Sequence, residues 1–546
     1  MTAGQHPDFT PLVDLLGAPG AGPTRARRPL YADLLPPCND ACPAGENIQA
    51  WLAHAQAGRY REAWLALVED NPLPAVHGRV CYHPCESACN RAQLDSSVSI
   101  HAVERFLGDV AAAQGWTLPI RQPPSGKRVL VVGAGPSGLS AAYHLARLGH
   151  DVEIREAAPQ PGGMMQFGIP AYRLPRADLL KEVQTIEAMG VRIVLNHKVE
   201  DVLAEKASGG FDAVFLAIGA QIGKRIDLPA SDAARLVTAV SLLRGVASGE
   251  APKLGRRVVV YGAGNTAMDA ARSAKRLGAE EALIVFVSDR AHMEAHAFEA
   301  EEAVEEGVKI KWLTRLDALE GTELTVERME LDLDGRPQPT GRFETLAADA
   351  VVLALGQQVE RVLLEKIPGV AFQSDGAVVL DQKMMTGHPG IFAGGDMAPG
   401  ARTVTTAVGH GKAAARRIDA WLRADDVSAA QRSPVVSFDM LHLPVYSDAE
   451  PSVQPVIAPA DRTTGFAEIQ AGLSEAAARF EARRCLSCGN CFECDQCYAA
   501  CPEQAIEKLG PGRRYRYLYD RCTGCAVCFE TCPCHAIEMI PEPGRG

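Results

Sequence analysis

The sequence has no run of about 18 consecutive apolar residues, which a membrane-spanning helix needs. Its hydrophobic content is 47% and its mean hydropathy −0.04, ordinary for a water-exposed globular chain. It has no excess of basic residues either. Lys and Arg number 55 against 67 Asp and Glu, a net charge of −12, which argues against a nucleic-acid binder. The first 30 residues lack the charged start and apolar run of a secretory signal, so a cytoplasmic location is expected. Cysteine is absent from residues 90–484. That gap gives meaning to the 16 cysteines present, five within 38–89 and eleven within 485–534. A reducing compartment gives them no use as disulfides. Clustering of this kind points to metal or iron–sulfur ligation. The length, 546 residues, exceeds what one core supports and predicts three or four domains.

Between the cysteine-rich ends the grammar is strand, glycine turn, helix. The apolar run Arg128–Val132 ends in glycine, as buried parallel strands do. A helix from about 137 to 148 and a strand over 151–156 are expected to follow. The same order returns at Arg257–Tyr261, with a helix to about 277 and a strand near 283–287. A third apolar run covers 350–355. Residues 425–465 are rich in Pro, Ser and Asp and read as an extended connector. Ser474 is a good N-cap for a helix running toward Cys485.

The turn Gly133-Ala134-Gly135-Pro136-Ser137-Gly138 carries glycines for a tight turn, for approach to a pyrophosphate and for close helix–strand packing. The helix start supplies free N–H groups for phosphates. Glu156, 18 residues after Gly138, ends the next strand and can accept from ribose hydroxyls. Gly262-Ala263-Gly264-Asn265-Thr266-Ala267 repeats the pattern. Two such units in one chain predict a resident flavin and an exchangeable nicotinamide; a second unit without a ligand is the bland alternative. A 2′-phosphate favours an arginine after the second strand of the nicotinamide unit. Here the segment is Phe286-Val287-Ser288-Asp289-Arg290, and Asp289 would repel a phosphate. NADH is therefore favoured over NADPH, with Arg290 the dissenting residue.

Cys491-x2-Cys494-x2-Cys497-x3-Cys501-Pro502 and Cys522-x2-Cys525-x2-Cys528-x3-Cys532-Pro533 are two bacterial ferredoxin runs. In such runs the fourth cysteine ligates the other cluster. The expected [4Fe–4S] sets are Cys491, Cys494, Cys497 and Cys532, and Cys501, Cys522, Cys525 and Cys528. Zinc ribbons use separated pairs and fit poorly. Cys42, Cys81, Cys85 and Cys89 offer a third set, against a bland reading as buried thiols on one helix face. Cys38, Cys485 and Cys488 are a possible fourth set joining the two ends of the chain. Its last ligand would be a non-cysteine group or Cys534, which is otherwise a packed thiol.

At this point the sequence resembles the glutamate synthase small-subunit family of flavoproteins over nearly all of residues 30–420. The likeness rests on Cys42-Pro43, Asn71–Ala75, Gly78–Cys81 and Cys89-Asn90. It continues through Pro161–Met164, Ile169–Pro175, Ala217–Gly219, Gly394–Asp396, Thr403–Ala407 and Gly262–Asp269. The resemblance implies FAD contacts at Gly163, Met164, Arg173, Val199, Gly219, Gly395, Asp396, Thr403, Val404 and Thr405. It also implies nicotinamide contacts at Gly262, Ala263, Gly264, Asn265, Thr266, Ser288 and Gly356. The chain departs from the family in three ways. Phe286–Ser288 replaces a Tyr-Arg-Arg segment used for NADPH. The C-x2-C pair expected before Cys38 is missing, while Cys485-Leu-Ser-Cys488 resembles it. A two-cluster ferredoxin tail is added. Dihydropyrimidine dehydrogenase has similar end regions, but only about 60 residues separate them here, so its FMN barrel does not fit.

The expected fold class is α/β, with two Rossmann-like domains for FAD and NAD, an α-helical N-terminal iron–sulfur domain and a C-terminal ferredoxin-like α+β domain. The expected boundaries are 1–122 for the helical iron–sulfur domain and 123–222 with 348–424 for the FAD domain. The NAD(P) domain is an insertion over 223–347. A linker covers 425–465 and the ferredoxin domain 466–546. Nicotinamide carries hydride and clusters carry single electrons, so FAD would convert between them. No nucleophile–base pair for hydrolysis is evident, and backbone N–H groups near Gly395 and Thr403 are expected at the flavin. His410 and Lys412 are expected to be solvent-exposed, and His77 and His83 structural. The favoured function is an electron-transfer subunit joining NAD(H), FAD and three or four [4Fe–4S] clusters to a larger oxidoreductase or a ferredoxin. The alternatives are a glutamate synthase small subunit using NADPH, and a non-catalytic redox sensor or scaffold.

Overall fold

The structure is a computed structural model, and it describes residues 25–119, 122–226, 228–229, 236–425, 432–443 and 448–543. Two parallel five-stranded sheets form its centre. In the first, Arg128–Val132 lies between Asp151–Arg155 and Ala213–Leu216, with Arg192–Val194 and Ile391–Ala393 at the edges. In the second, Arg257–Tyr261 lies between Glu281–Val285 and Ala350–Leu353, with Lys309–Lys311 and Leu236–Thr238 outside. Their centre strands are apolar because both faces are covered; in the second sheet helices cover one face, and Leu316, Leu319, Leu324 and Val326 of an antiparallel sheet cover the other. Val129, Leu130 and Val131 are fully buried, as are Ala141, Tyr143 and Leu145 on the helix Pro136–Arg147 packed against them. A three-stranded antiparallel sheet, Thr314–Glu320, Glu323–Leu331 and Pro337–Ala347, is inserted beside the second sheet.

The strand Ala350–Leu353 departs from the expected boundary at 347/348. It pairs with Arg257–Tyr261 and Leu236–Thr238 and so completes the nicotinamide-type sheet, not the flavin-type one. The chain crosses back only after the short ribbon in which Gln357 and Gln358 pair with Gly223 and Ile222.

The two ends of the chain also exchange elements. Arg27–Tyr31 pairs antiparallel with Ile537–Pro541, so the expected 1–122 unit lends a strand to the tail. In return the helix Glu475–Arg483, capped by the Ser474 side chain as expected, packs on the helices Ile48–Gln56 and Ile100–Gln114. Its buried Ala478 and Ala482 join a core with Trp51, Leu52, Leu67, Val103 and Leu107. Removing a side chain such as Trp51, which is wholly buried, would cost about 3–5 kcal/mol. The expected start of the tail at 466 thus divides it from helices with which residues 473–483 share a core.

Part of the expected linker lies outside the described residues, at 426–431 and 444–447. The rest, together with the residues just past its expected end at 465, is fastened across three units. Gln454 meets His101 at 3.0 Å, Arg462 pairs with Glu305 at 2.9 Å, and Ile469 N–H donates to the Tyr172 carbonyl at 3.0 Å. Glu468 pairs with Arg79 and Arg105. Gln454 and Arg462 of the expected extended connector supply the first two of these contacts, and Glu468 and Ile469 lie just past it. Among the described residues, no helix is long and apolar enough to cross a membrane.

Candidate functional site

The first glycine turn is built by backbone constraint. Gly133 has φ +107° and a β-carbon there would sit 2.5 Å from the Ala217 carbonyl oxygen. One on Gly138 would sit 1.9 Å from the Gly133 oxygen, so the helix Pro136–Arg147 can start against the strand only with glycine at that position. Ala134 N–H donates to the Glu156 carboxylate at 2.7 Å, and Ala158 N–H to its other oxygen at 2.8 Å. Each oxygen keeps a lone pair for a further donor.

A cavity of about 300 Å³ opens from this turn. Of the expected flavin residues it is lined by Gly133, Gly135, Pro136, Ser137, Glu156, Gly163, Met164, Arg173, Gly219, Gly395, Asp396, Thr403 and Val404. Asn265, Thr266 and Gly356 of the expected nicotinamide residues line it too, so both glycine turns face one space. Ala134, Gly138 and Val199 lie behind the wall, Val199 in an apolar cluster with Val132 and Leu216. Gly262, Ala263, Gly264 and Ser288 also lie away from the lining. A β-carbon on Gly262 would sit 2.3 Å from the Ala354 carbonyl oxygen, while Ser288 is buried with a hydroxyl that has no partner among the described residues.

The cavity fits a dinucleotide flavin on its own evidence. A β-carbon on Gly135 would meet only the Gly163 Cα, at 3.9 Å, and the buried Ser137 hydroxyl on the same wall has no partner among the described residues. The helix Val404–Arg423, capped by Thr403, points its start at the cavity and would favour negative charge there. Burial, opposed by Arg402, pushes the Asp396 carboxyl up to about 6.

Two expectations near this wall fail. Gly395 N–H does not face the cavity free, because it donates to His410 Nδ1 at 3.2 Å. His410 is accordingly half-buried. Lys412 is buried and bonded to the Ala44 and Gly45 carbonyls and to Asp70 at 2.7 Å. Its charge fastens the flavin-type unit to the N-terminal helices. His77 is buried as expected, with Nδ1 2.8 Å from Asn71. His83 is stacked on His101 at 3.7 Å, and burial pushes it down to about 3.

Val80 and Tyr82 were not anticipated in the cavity wall. They flank Cys81, so a cysteine-bearing loop directly backs the dinucleotide space. Tyr82 also stacks on His296 of the nicotinamide-type unit, with ring centroids 3.9 Å apart. Arg173 pairs with Asp269 at 2.8 Å and with Glu299 at 2.5 Å. A Tyr directly after a candidate ligand cysteine was the available signal. Its direction depends on the extended backbone of Cys81.

The 16 cysteines are all unpaired as disulfides. In the tail, Cys501, Cys522, Cys525 and Cys528 line one small cavity, and Cys491, Cys494, Cys497 and Cys532 are mutual electrostatic neighbours. Near the N-terminal helices the grouping differs from the expected one. Cys38, Cys89, Cys485 and Cys488 line one small cavity. Cys89 therefore stands away from Cys42, Cys81 and Cys85. The helix Pro84–Ser87 stops at Ala88, and Cys89 is extended, which turns it off the helical face that three-residue spacing suggested. Cys42, Cys81 and Cys85 instead have the buried Glu104 carboxyl as a neighbour. The Thr405 hydroxyl, expected at the flavin, lies beside the Cys81 thiol. Cys534 belongs to the tail core. Four unpaired thiols around a small cavity suit an iron–sulfur cluster, and three thiols with a carboxylate offer a mixed donor set.

Comparison with known proteins accords with this arrangement. The family model of pyridine nucleotide-disulphide oxidoreductases matches residues 127–411, just over half of the chain. A 4Fe–4S model named for dihydropyrimidine dehydrogenase domain II matches 23–116, and the 4Fe–4S dicluster domain matches 490–536. The chain is 36% identical over 499 residues to the beta subunit of an NADP(+)-dependent formate dehydrogenase of Moorella thermoacetica, covering 83% of this chain and 70% of that one. It is 34% identical over 505 residues to the beta subunit of an NADPH-Fe(3+) oxidoreductase of Geobacter sulfurreducens, covering 83% and 75%. It is 32% identical over 418 residues to the small chain of the NADPH glutamate synthase of Escherichia coli, covering 71% and 89%. The chain belongs to the pyridine nucleotide-disulphide oxidoreductase family, as an iron–sulfur flavoprotein resembling the glutamate synthase small subunit, with 4Fe–4S domains on both sides of its dinucleotide-binding core.

Proposed function

We propose that the chain is the NAD(P)H-linked electron-transfer subunit of a larger oxidoreductase. It would exchange electrons with a partner oxidoreductase or ferredoxin through FAD and four [4Fe–4S] sites. One observation carries this reading: a single cavity is walled by Gly133, Gly135, Pro136 and Ser137, by Asn265 and Thr266, and by the residues on either side of Cys81. When bound, FAD interconverts the two-electron chemistry of NAD(P)H and the one-electron chemistry of iron–sulfur clusters. The protein's part is positioning. Glu156 and the turn hold the adenosine end, Ser137 and Asp396 offer polar contacts, and the start of the helix Val404–Arg423 favours added negative charge. The four ligand sets in this reading are Cys42, Cys81 and Cys85 with Glu104; Cys38, Cys89, Cys485 and Cys488; Cys491, Cys494, Cys497 and Cys532; and Cys501, Cys522, Cys525 and Cys528.

Anaerobic NAD(P)H-driven reduction of a one-electron viologen dye tests the proposal. Turnover in the purified chain with bound flavin and iron supports it. A flavin- and iron-loaded chain that never oxidises NAD(P)H refutes it and leaves the sensor or scaffold reading. Glutamine-dependent glutamate formation with a co-purified large chain would favour the glutamate synthase role instead.

For the nicotinamide, NADH remains the reading from the residues. No cation occupies 286–288, and Asp289 follows directly. NADPH is the second reading, and specific observations favour it. Asp289 is turned toward His292, at 2.6 Å, and Arg290 is largely exposed, with Glu301 at 3.7 Å as its charge partner among the described residues. All three relatives above are named for NADP(H). The ratio of kcat/KM for the two dinucleotides decides. A ratio favouring NADPH that collapses in Arg290→Ala establishes the second reading.

A further inference from the structure

The two ferredoxin runs can be laid over one another, and they differ in what is buried two residues after the last cysteine. In Cys501-Pro502-Glu503-Gln504-Ala505, Ala505 N–H donates to the Cys501 sulfur at 3.3 Å. In Cys532-Pro533-Cys534-His535-Ala536, Ala536 N–H donates to the Cys532 sulfur at the same distance. Gln504 and His535 both take a left-handed backbone, with φ of 49° and 54°. Both turns then enter a strand, Ile506–Lys508 or Ile537–Pro541. Two residues after the ligand the symmetry breaks. Glu503 is exposed, whereas Cys534 is 2% exposed and its sulfur lies 3.8 Å from the Cys532 sulfur. The cover explains the difference. Arg27–Tyr31 pairs with the second strand, His442 N–H binds the Pro533 carbonyl, and Gly489 N–H binds the Cys534 carbonyl at 2.6 Å.

We propose that Cys534 donates a thiol hydrogen bond to the Cys532 sulfur and so raises the reduction potential of the cluster held by Cys491, Cys494, Cys497 and Cys532. The inference rests on the reading of those four cysteines as one ligand set. A metal-bound Cys532 sulfur has no proton to give, so Cys534 is the donor of the pair. Reduction adds negative charge to the cluster and its sulfurs, and a donor aimed at a ligand sulfur stabilises that charge. Both sulfurs belong to buried residues, which strengthens the effect. The Cys501 set has the equivalent backbone donor and no thiol, so it serves as an internal reference. Cys534 also occupies the joint between ligand sets: its carbonyl receives the N–H of Gly489, the residue after Cys488, while its thiol faces Cys532.

The test is an anaerobic redox titration of the full chain, followed by electron paramagnetic resonance, with iron counted in each sample. Cys534→Ala and Cys534→Val remove the donor, the second with a larger apolar side chain, and Cys534→Ser keeps a donor. The expected result is a lower midpoint for Ala and Val. The reduced-to-oxidised ratio at fixed potential falls by about tenfold, ~59 mV for a one-electron couple. Ser stays near the wild type, iron content is unchanged, and the Cys501 set does not move. Ala and Val at the wild-type potential overturn the proposal, as does an equal shift in all three variants. Iron loss in all three also overturns it, because Cys534 would then be needed to hold the cluster. A wild-type chain without iron in the tail refutes the ligand reading itself, which the iron count reveals separately.

Discussion

The thiol sets of the tail and those of the N-terminal helices offer the same chemistry on opposite architectures. In the tail every proposed ligand lies within residues 491–532, and in that reading two copies of one short motif exchange their last cysteine. Near the N-terminal helices, Cys38 and Cys89 meet Cys485 and Cys488 across roughly four hundred residues. Local loops position the first kind. The second needs long-range keys. Glu481, fully buried, accepts from Ser99 N–H at 3.0 Å and Ser452 N–H at 2.5 Å and pairs with Arg484 at 2.9 Å. Glu182 accepts from Ala75 and Val76 N–H, at 2.7 and 3.0 Å, at the start of the helix that ends before Cys81. A redox site assembled from distant segments is thus coupled to the stability of the whole molecule, and one wound from a single loop is not.

The sharpest way to break this contrast is to remove the distant ligands. Replacing Cys485 and Cys488 together by serine should lower iron from about 16 to about 12 per chain. The electron paramagnetic resonance signals of the tail sets should persist. Loss of all iron would mean that the two regions are not separable. Next in size, Glu481→Ala leaves the Arg484 guanidinium buried beside it with one charge partner fewer. It should cost about 3 kcal/mol, read from urea unfolding. Asp495→Asn in the tail is the matched control. Asp495 binds Lys508 and Tyr515, each at 2.6 Å, but is half-exposed, and no measurable change in midpoint is expected.

The smallest expected effect is a pH slope. Burial pushes the Glu182 carboxyl up to about 8, against the pull of its two backbone donors. Its folded pKa therefore lies above the unfolded value of about 4.5. Below that value the group is protonated in both states and contributes no slope. Between about 4.5 and about 8 the unfolded chain releases a proton that the folded chain retains, so stability falls as pH rises, and it levels off above. Glu182→Gln should flatten that part of the stability–pH curve. An unchanged slope would show that Glu182 is ionised in the folded protein.

Much of this molecule was legible in its residues because its signals are short-range. Gly133, Gly135 and Gly138 are tied to one strand–turn–helix, and the tail cysteines to two loops. Ser474 could be read as a cap because capping involves only the next three residues. Other features escaped reading for a common reason. Cys89 leaves its expected set because a helix stops one residue earlier, and spacing alone does not reveal that. Ala350–Leu353 has the same apolar composition as any buried strand, so composition did not say which sheet it joins. Tyr82, Glu104 and Thr405 reach their positions through contacts between units.

The sequence by itself determined the kinds of chemistry available: two dinucleotide turns, two ferredoxin loops and a reserve of further thiols, each specified by local backbone geometry. Only the tertiary structure decided how they are combined. It placed both turns and the Cys81 loop on one cavity, carried Cys485 and Cys488 to Cys38 and Cys89, and set Cys534 against Cys532 in only one of two otherwise similar loops. Those outcomes depend on burial and on pairing between remote segments, which are properties of the folded chain and not of any window along it.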